Sequence, residues 1–401
     1  MSAPQVPVLR LRRGEERRLR SGHLWIYSNE VDIERTPLKT LEPGVEVVIE
    51  DYRGKPLGRA YANPQSLICA RLFSRSPDQS LTKSFFKKRI GTAVELRERF
   101  FPARSYRAVF GEADALPGLV VDRFGDTFVL QSGTAGMDRV LDTVADALKA
   151  LYQPEAIVVK NEIGVRELEG LENWSGALHG EMPEHVALEE NGVSFRAPLA
   201  AGQKTGWFYD HRAGRRRVLP MVRGLRVLDV FSYCGAWGVQ AAVHGARDVL
   251  CVDSSEAALE YALHNARDND VADSVATMHG DAFAAMKELA AAGERYDLVI
   301  LDPPAFIKRK KDFRNGLAGY HAINELAMRL VEPGGYLVSA SCSMHLRREQ
   351  LLDVIRSSGR HIDRFVQVLA GEGQSEDHPI HPAIPETAYL KSWFCRVGMN
   401  G

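Results

Sequence analysis

The sequence predicts an α/β protein: a C-terminal doubly wound parallel sheet, preceded by a small β-rich domain and a mixed α+β middle domain. Two observations carry this. From about residue 191 onward, short β-prone runs alternate with stretches of helical periodicity across brief links, the pattern of repeated βαβ units. Before that point the chain shows only short strand runs up to residue 74 and a mixture of both periods from 75 to 190. The length of 401 residues agrees, since it corresponds to two or three domains. At 45% hydrophobic and 26% charged, the chain is too apolar to be disordered. With 51 basic and 52 acidic residues the net charge is −1, so a nucleic-acid surface must come from local clustering. Five cysteines without a CxxC, and without histidines at zinc spacing, speak against a disulfide framework and against a metal site. No run approaches about 18 apolar residues and the N-terminal stretch lacks an apolar signal core, which predicts a soluble cytoplasmic protein with reduced thiols.

Within 1–74, strands are expected at 45–50 and 57–61, flanking the turn Asp51-Tyr52-Arg53-Gly54-Lys55, and again at 67–73. Arg10, Arg12, Arg13, Arg17, Arg18 and Arg20 face only Glu15 and Glu16 in the same stretch. Such a run is either a solvated face or a phosphate-contacting one. Trp25 and Tyr27 just beyond it favour the second, because rings beside cations suit single-stranded RNA. Arg12, Arg13 and Trp25 are therefore candidate RNA contacts. In 75–190 the pattern predicts a helix over 81–101, a hairpin of 119–123 and 127–130 around Gly125-Asp126, a helix over 137–151 and a strand over 156–159. No nucleophile or metal constellation stands out there, which leaves a scaffold that helps hold a substrate.

In 191–401, strands are expected at 226–231, 249–252, 275–279, 298–301, 336–341, 364–369 and 390–397. Helices fit between the first six, at 238–245, 255–268, 282–292, 316–329 and 344–358. A sheet of this kind binds its ligand at the carboxyl ends of the strands. The first strand runs through Asp229 into Phe231-Ser232-Tyr233-Cys234-Gly235-Ala236-Trp237-Gly238, where Gly235 and Gly238 let backbone approach a ligand. This is not the GxGxxG of dinucleotide enzymes, and Asp229 would repel a phosphate but suits a cation. The second strand ends at Asp253, beside Ser254, where a carboxylate can accept both hydroxyls of a ribose. The third leads to Gly280-Asp281-Ala282, whose carboxylate can accept from an adenine amine. Any one such Asp is as well explained as a helix N-cap, but three after successive strands of one sheet are not. Ribose, adenine and a positive amino-acid part together make S-adenosylmethionine, with Ser232 and Tyr233 in its loop.

The fourth strand delivers Asp302-Pro303-Pro304-Ala305-Phe306, a rigid extended exit. It is either a stiff connection or a loop that holds an extruded base, with Pro304 and Phe306 against the base. The fifth strand ends in Ser341-Cys342-Ser343, next to the fourth in such a fold, so Cys342 is expected across the crevice from Asp302. Cys69, Cys251 and Cys395 read as inert fillers of strands, and Cys234 as part of the lining of the cofactor loop. A thiolate is required where carbon 5 of a pyrimidine is methylated, because attack on carbon 6 activates it. Asp302 would support cytosine at N3 or at its amine.

At this point the residues resemble a known family. Gly202-Gln203-Lys204-Thr205-Gly206-Trp207-Phe208-Tyr209-Asp210-His211-Arg212 is similar to the loop before the catalytic sheet of the large-subunit ribosomal RNA methyltransferase I family. The resemblance extends through the GEADALPGLVVDR stretch at 111–123, the FSYCGAWG, LDPPAF and SCS motifs, Asp377-His378-Pro379 and Tyr389-Leu390-Lys391. It implies an N-terminal PUA domain, a Rossmann-like class I methyltransferase domain and 5-methylcytosine formation in large-subunit ribosomal RNA. It further implies a cofactor site of Asp229, Asp253, Asp281 and Asp302 with Gly235 in its loop, closed by Gln203, Lys204, Asp210 and Arg212, and Cys342 as nucleophile. Domain boundaries of 1–74, 75–190 and 191–401 follow. Many RNA cytosine-C5 methyltransferases carry a second cysteine after the proline of the fourth-strand motif; here Pro304-Ala305 stands there, so product release proceeds without it. Arg215-Arg216-Arg217 and Lys308-Arg309-Lys310-Lys311 flank the expected mouth and suit RNA, naked or partly assembled into a subunit. Dimers occur in such folds, so a homodimer is compatible; a membrane partner is not expected.

Three other readings compete. Methylation of a purine nitrogen needs a DPP loop but no thiolate. A nicotinamide-dependent dehydrogenase would share the sheet but not Asp229 or this glycine pattern. A non-catalytic RNA-binding protein would keep the fold without turnover, against the complete aspartate series.

Overall fold

The computed structural model describes residues 6–202 and 204–399. The chain forms two compact units. The first comprises residues up to Val186 with Leu199–Trp207 and Glu376–Thr387; the second comprises Ala187–Pro198, Phe208–Ser375 and the residues from Ala388 onward.

In the first unit, a five-stranded sheet runs in the order Val8–Arg10, Val45–Glu50, Pro56–Ala62, Ala70–Ser74, Trp25–Ile26. The turn at 51–55 forms as the sequence predicts, with Asp51 Oδ1 accepting from the backbone N–H groups of Arg53 and Lys55 at 2.9 and 3.0 Å. A second five-stranded sheet runs Ser175–His179, Ala156–Lys160, Thr127–Ser132, Leu119–Phe124, Ser105–Phe110. Helix Lys83–Glu98, capped by the Thr82 hydroxyl, packs with helix Leu141–Tyr152 over this sheet through Phe86, Ile90, Val94, Val144 and Leu148. The single helix expected over 137–151 is two pieces, Ala135–Asp138 and Leu141–Tyr152, because Val140 leaves helical backbone (φ −118, ψ 13). The two sheets share a core: Tyr61 and Phe73 of the first join Phe85 and Phe86 in one apolar cluster. A buried Glu169 fastens them further, accepting from Arg71 and Asn63 at 2.8 Å each.

Besides the strand pair His185–Glu190 and Val193–Pro198, the second unit is built on a seven-stranded sheet, whose strands are named here in chain order: β1 (Arg226–Val230), β2 (Asp248–Asp253), β3 (Val275–His279), β4 (Tyr296–Leu301), β5 (Val331–Ser341), β6 (Arg364–Glu372) and β7 (Lys391–Met399). Its helices are α1 (Arg212–Val218), α2 (Gly238–Val243), α3 (Glu256–Asp268), α4 (Ala282–Ala291), α5 (Phe313–Leu330) and α6 (Arg348–His361). The sheet order is β3-β2-β1-β4-β5-β7-β6. The first five positions are parallel, and each strand is joined to the next by a helix that returns the chain to the starting edge. The parallel sheet of the sequence reading is altered at one side: β7 lies antiparallel between β5 and β6. No α-helix crosses between β6 and β7, so the chain pairs on its return instead of crossing over. Leu228, Val230, Val299, Leu301 and Leu337 bury one face under α4, α5 and α6, through Met286, Ile323, Ala327, Leu351 and Ile355.

Candidate active site

The five parallel strands deliver their last residues to one edge of the sheet. β1 runs into a turn where Phe231 (φ 65), Tyr233 (φ 50) and Gly235 (φ 76) all take left-handed backbone, which is costly for two aromatic residues. The neighbouring strand holds this turn in place. The Val252 carbonyl accepts from the Phe231 and Ser232 N–H groups at 2.9 and 3.1 Å, and Asp253 Oδ2 accepts from Tyr233 N–H at 2.9 Å. Asp253 Oδ1 accepts from Ser255 N–H at 2.9 Å. Asp253 thus clamps the loop, and the lone pairs left on its oxygens are those a ribose diol would use.

Gly238 opens α2. Its N–H donates to Asp229 Oδ2 at 2.8 Å, and a Cβ there would lie 2.7 Å from Cys251 Sγ and 2.9 Å from Val249 Cγ1. This glycine serves the packing of helix on sheet rather than ligand approach, a correction to the sequence reading. Asp229 is fully buried, and its Oδ1, like Ser232 Oγ, has no hydrogen-bond partner among the described residues. Burial pushes the Asp229 carboxyl up to about 7; the Gly238 N–H opposes this, and the charges of Asp302 and Asp253 add to it. Orphaned oxygens crowded by carboxylates fit a cationic group, as the ammonium and the sulfonium of S-adenosylmethionine are.

Farther along the edge, Asp281 caps α4, its Oδ1 accepting from Ala284 N–H at 3.0 Å, with Ala282 buried behind it. The N-cap role weighed against it is therefore real, and its side chain stays exposed. Ser254 is exposed at the end of β2, its carbonyl 3.1 Å from His279 Nε2. After β4, Asp302 receives two donors: His211 Nε2 at 2.9 Å and Trp237 Nε1 at 3.2 Å. Burial alone would pull the His211 imidazole down, but the charge and hydrogen bond of Asp302, with the charge of Asp210, hold it above its ordinary value. Pro303 is buried and Pro304 exposed. The Phe306 ring is half-buried among Tyr320, Phe283 and Phe231, with centroids 4.8, 6.2 and 6.4 Å away.

Cys342 leaves β5 at the same edge, since Leu301 and Ser339 are paired across β4 and β5. The hydroxyls of Ser341 and Ser343 on either side of it meet the Tyr320 hydroxyl at 2.8 and 2.9 Å. Of the five cysteines it alone is not buried. Burial pushes the thiols of Cys69 and Cys395 up to about 12 and those of Cys234 and Cys251 up as well, which leaves them unreactive.

Residues 9–75 match a PUA-like domain family, and residues 166–392 match the S-adenosylmethionine-dependent methyltransferase family. The protein called ribosomal RNA large subunit methyltransferase I in Cronobacter sakazakii is 35% identical over 392 residues, covering 96% of this chain and 98% of that one. Its namesake in Aliivibrio fischeri is 36% identical with the same coverage. The chain belongs to the ribosomal RNA large subunit methyltransferase I family. A solved Streptococcus mutans protein shares the fold, with a TM-score of 0.82 at 22% identity, over 98% of this chain and 100% of that one.

In this family member the residues expected to close the pocket have other partners as well. Asp210 Oδ2 accepts from the Tyr389 hydroxyl at 2.5 Å, and its carbonyl accepts from Ser375 N–H at 2.9 Å. Arg212 and Arg215 are both buried against Glu190, at 3.4 and 2.5 Å. Arg215 is therefore not on an RNA-facing surface, a correction to the basic tract; Arg216 and Arg217 are exposed, the latter paired with Glu372. Lys204 lies in the first unit, with left-handed backbone (φ 48), and Gln203 falls outside the described residues. Lys308 is exposed and Arg309 pairs with Asp312 at 2.9 Å. In the N-terminal stretch Arg10, Arg18 and Arg20 are paired with Glu50, Glu30 and Asp51. Arg12 and Arg13 are exposed, while the half-buried Trp25 donates its indole N–H to Glu112 at 2.8 Å. Sequence reasoning missed the contacts of His211, Trp237 and Tyr389. All three sit inside motifs it quoted, but the partner of each lies on a distant segment.

Proposed function

We propose that this methyltransferase modifies carbon 5 of a cytosine in large-subunit ribosomal RNA through a transient bond between Cys342 and carbon 6. The names of the relatives and the PUA-like domain support the substrate class. One observation supports the chemistry: the single accessible thiol of the chain stands beside the strand that presents Asp302. In this reading the Cys342 thiolate adds to carbon 6, and the electrons of the 5,6 double bond move through the ring to N3, which takes a proton. Asp302, already accepting from His211 and Trp237, accepts from the 4-amino group, and the proton between His211 and Asp302 is the acid at hand for N3. Asp229, Ser232, Asp253 and Asp281 hold S-adenosylmethionine, which supplies the methyl group when bound. Loss of the carbon 5 proton to a base restores the double bond, N3 gives its proton back, and the thiolate leaves.

Transfer of radiolabelled methyl groups to protein-free ribosomal RNA, followed by nucleoside analysis, tests this directly. Wild type should yield 5-methylcytosine and Cys342→Ala none. Label in a methylated purine, made equally by the variant, would replace this reading with nitrogen methylation.

A further inference from the structure

Lys391 is the first residue of β7, paired directly opposite Ser341, and only 5% of it is exposed. Its ammonium donates to the carbonyls of Ser343 at 2.5 Å and Tyr389 at 2.9 Å. The lysine thus brackets Cys342 from both sides along the chain, across from the residue before it and bonded to the residue after it. Burying an ammonium whose hydrogen bonds, among the described residues, go to two neutral carbonyls is expensive, and no step of the mechanism above uses it. We propose that Lys391 is a positioning residue for the nucleophile: its positive charge favours the thiolate form of Cys342.

This inference rests on the reading of Cys342 as the nucleophile. Burial pulls the Lys391 ammonium down to about 8, and negative charge on Cys342 is what opposes that, so the two groups sense one another. At neutral pH the lysine remains mostly charged. From α5, the Tyr320 hydroxyl faces the same segment; burial, and more weakly the Cys342 charge, hold its phenol above its ordinary range, so it stays neutral and does not compete. A cation beside a half-exposed thiol is the usual arrangement for a reactive cysteine.

The test is alkylation of Cys342 by iodoacetamide in the full chain, followed by peptide mass spectrometry from pH 5 to 10. Thiolate sulfur displaces iodide, so the rate follows the ionised fraction. In wild type the half-maximal rate should fall at least one pH unit below the roughly 8.5 of a free thiol. Lys391→Met should raise that midpoint by a unit or more, with about tenfold slower labelling at pH 6.5, and Lys391→Arg should restore it. A wild-type midpoint at or above 8.5, or no shift in the methionine variant, overturns the proposal. Should Lys391→Met fail to fold, the wild-type midpoint decides alone, with the arginine variant as its control. Failure of the methylation mechanism is seen separately: a low wild-type midpoint with fully active Cys342→Ala keeps the lysine–thiol pairing and removes the covalent adduct.

Discussion

Asp229 holds its proton to about pH 7 in the folded chain, whereas an unfolded aspartate releases it near 4. Folding therefore takes up a proton across that window, and the stability this group contributes falls as pH climbs from about 4 to about 7. A bound cation favours the ionised carboxylate and reverses the preference. Calorimetric affinity for S-adenosylmethionine should accordingly rise as pH passes through 7, and Asp229→Asn should flatten the profile. Equal wild-type affinity at pH 6 and pH 8 would mean that the orphaned oxygen does not face the cation. His211 acts on the other side of the edge, as one of two donors to Asp302. Replacing it by phenylalanine should lower the rate of methyl transfer about a hundredfold, as loss of acid–base assistance does, and leave cofactor affinity within about twofold. An equal loss of affinity would make it a packing residue.

The junction of α2 with β1 and β2 depends on having no side chain at Gly238, where a Cβ would strike Cys251, Val249 and Asp229. Gly238→Ala should cost about 1–3 kcal/mol, the usual range for overpacking, read as a lower midpoint in urea. Glu190 serves α1 in another way, by pairing one carboxylate with two buried guanidiniums. Glu190→Ala should cost about 3–5 kcal/mol, because both cations remain buried without it. These two sites also mark how far sequence reasoning reached. The strands and helices from 226 to 358 were legible because buried parallel strands are continuous apolar runs between amphipathic helices. The strand-end aspartates followed from that. Ser105–Phe110 and Ser175–His179 were not read, being edge strands of their sheet, both with an irregular pairing. The antiparallel place of β7 was hidden because pairing order is not a property of any one segment. Arg215 looked like surface because its carboxylate comes from Glu190, 25 positions away.

Across the whole chain the basic and acidic charges cancel, so a surface for RNA has to come from exposed cations clustered locally. Lys308 and Lys310 are two of them. Replacing both by alanine should reduce the slope of log affinity against log salt by about 1.4, taking roughly 0.7 per single-strand phosphate contact; an unchanged slope would remove that loop from the RNA track. The threading of the two units has a further result for the growing polypeptide. Within the first unit, Asp377 accepts from Arg107 N–H at 3.0 Å and its carbonyl from Arg97 at 3.0 Å, so contacts made by the early helix and strand wait for a segment some 270 positions later. Within the second, the strand that fills the gap between β5 and β6 is the last of the seven to be made. A nascent chain therefore lacks part of both units until translation has passed both segments, and Lys391, proposed above as the partner of Cys342, comes only with β7.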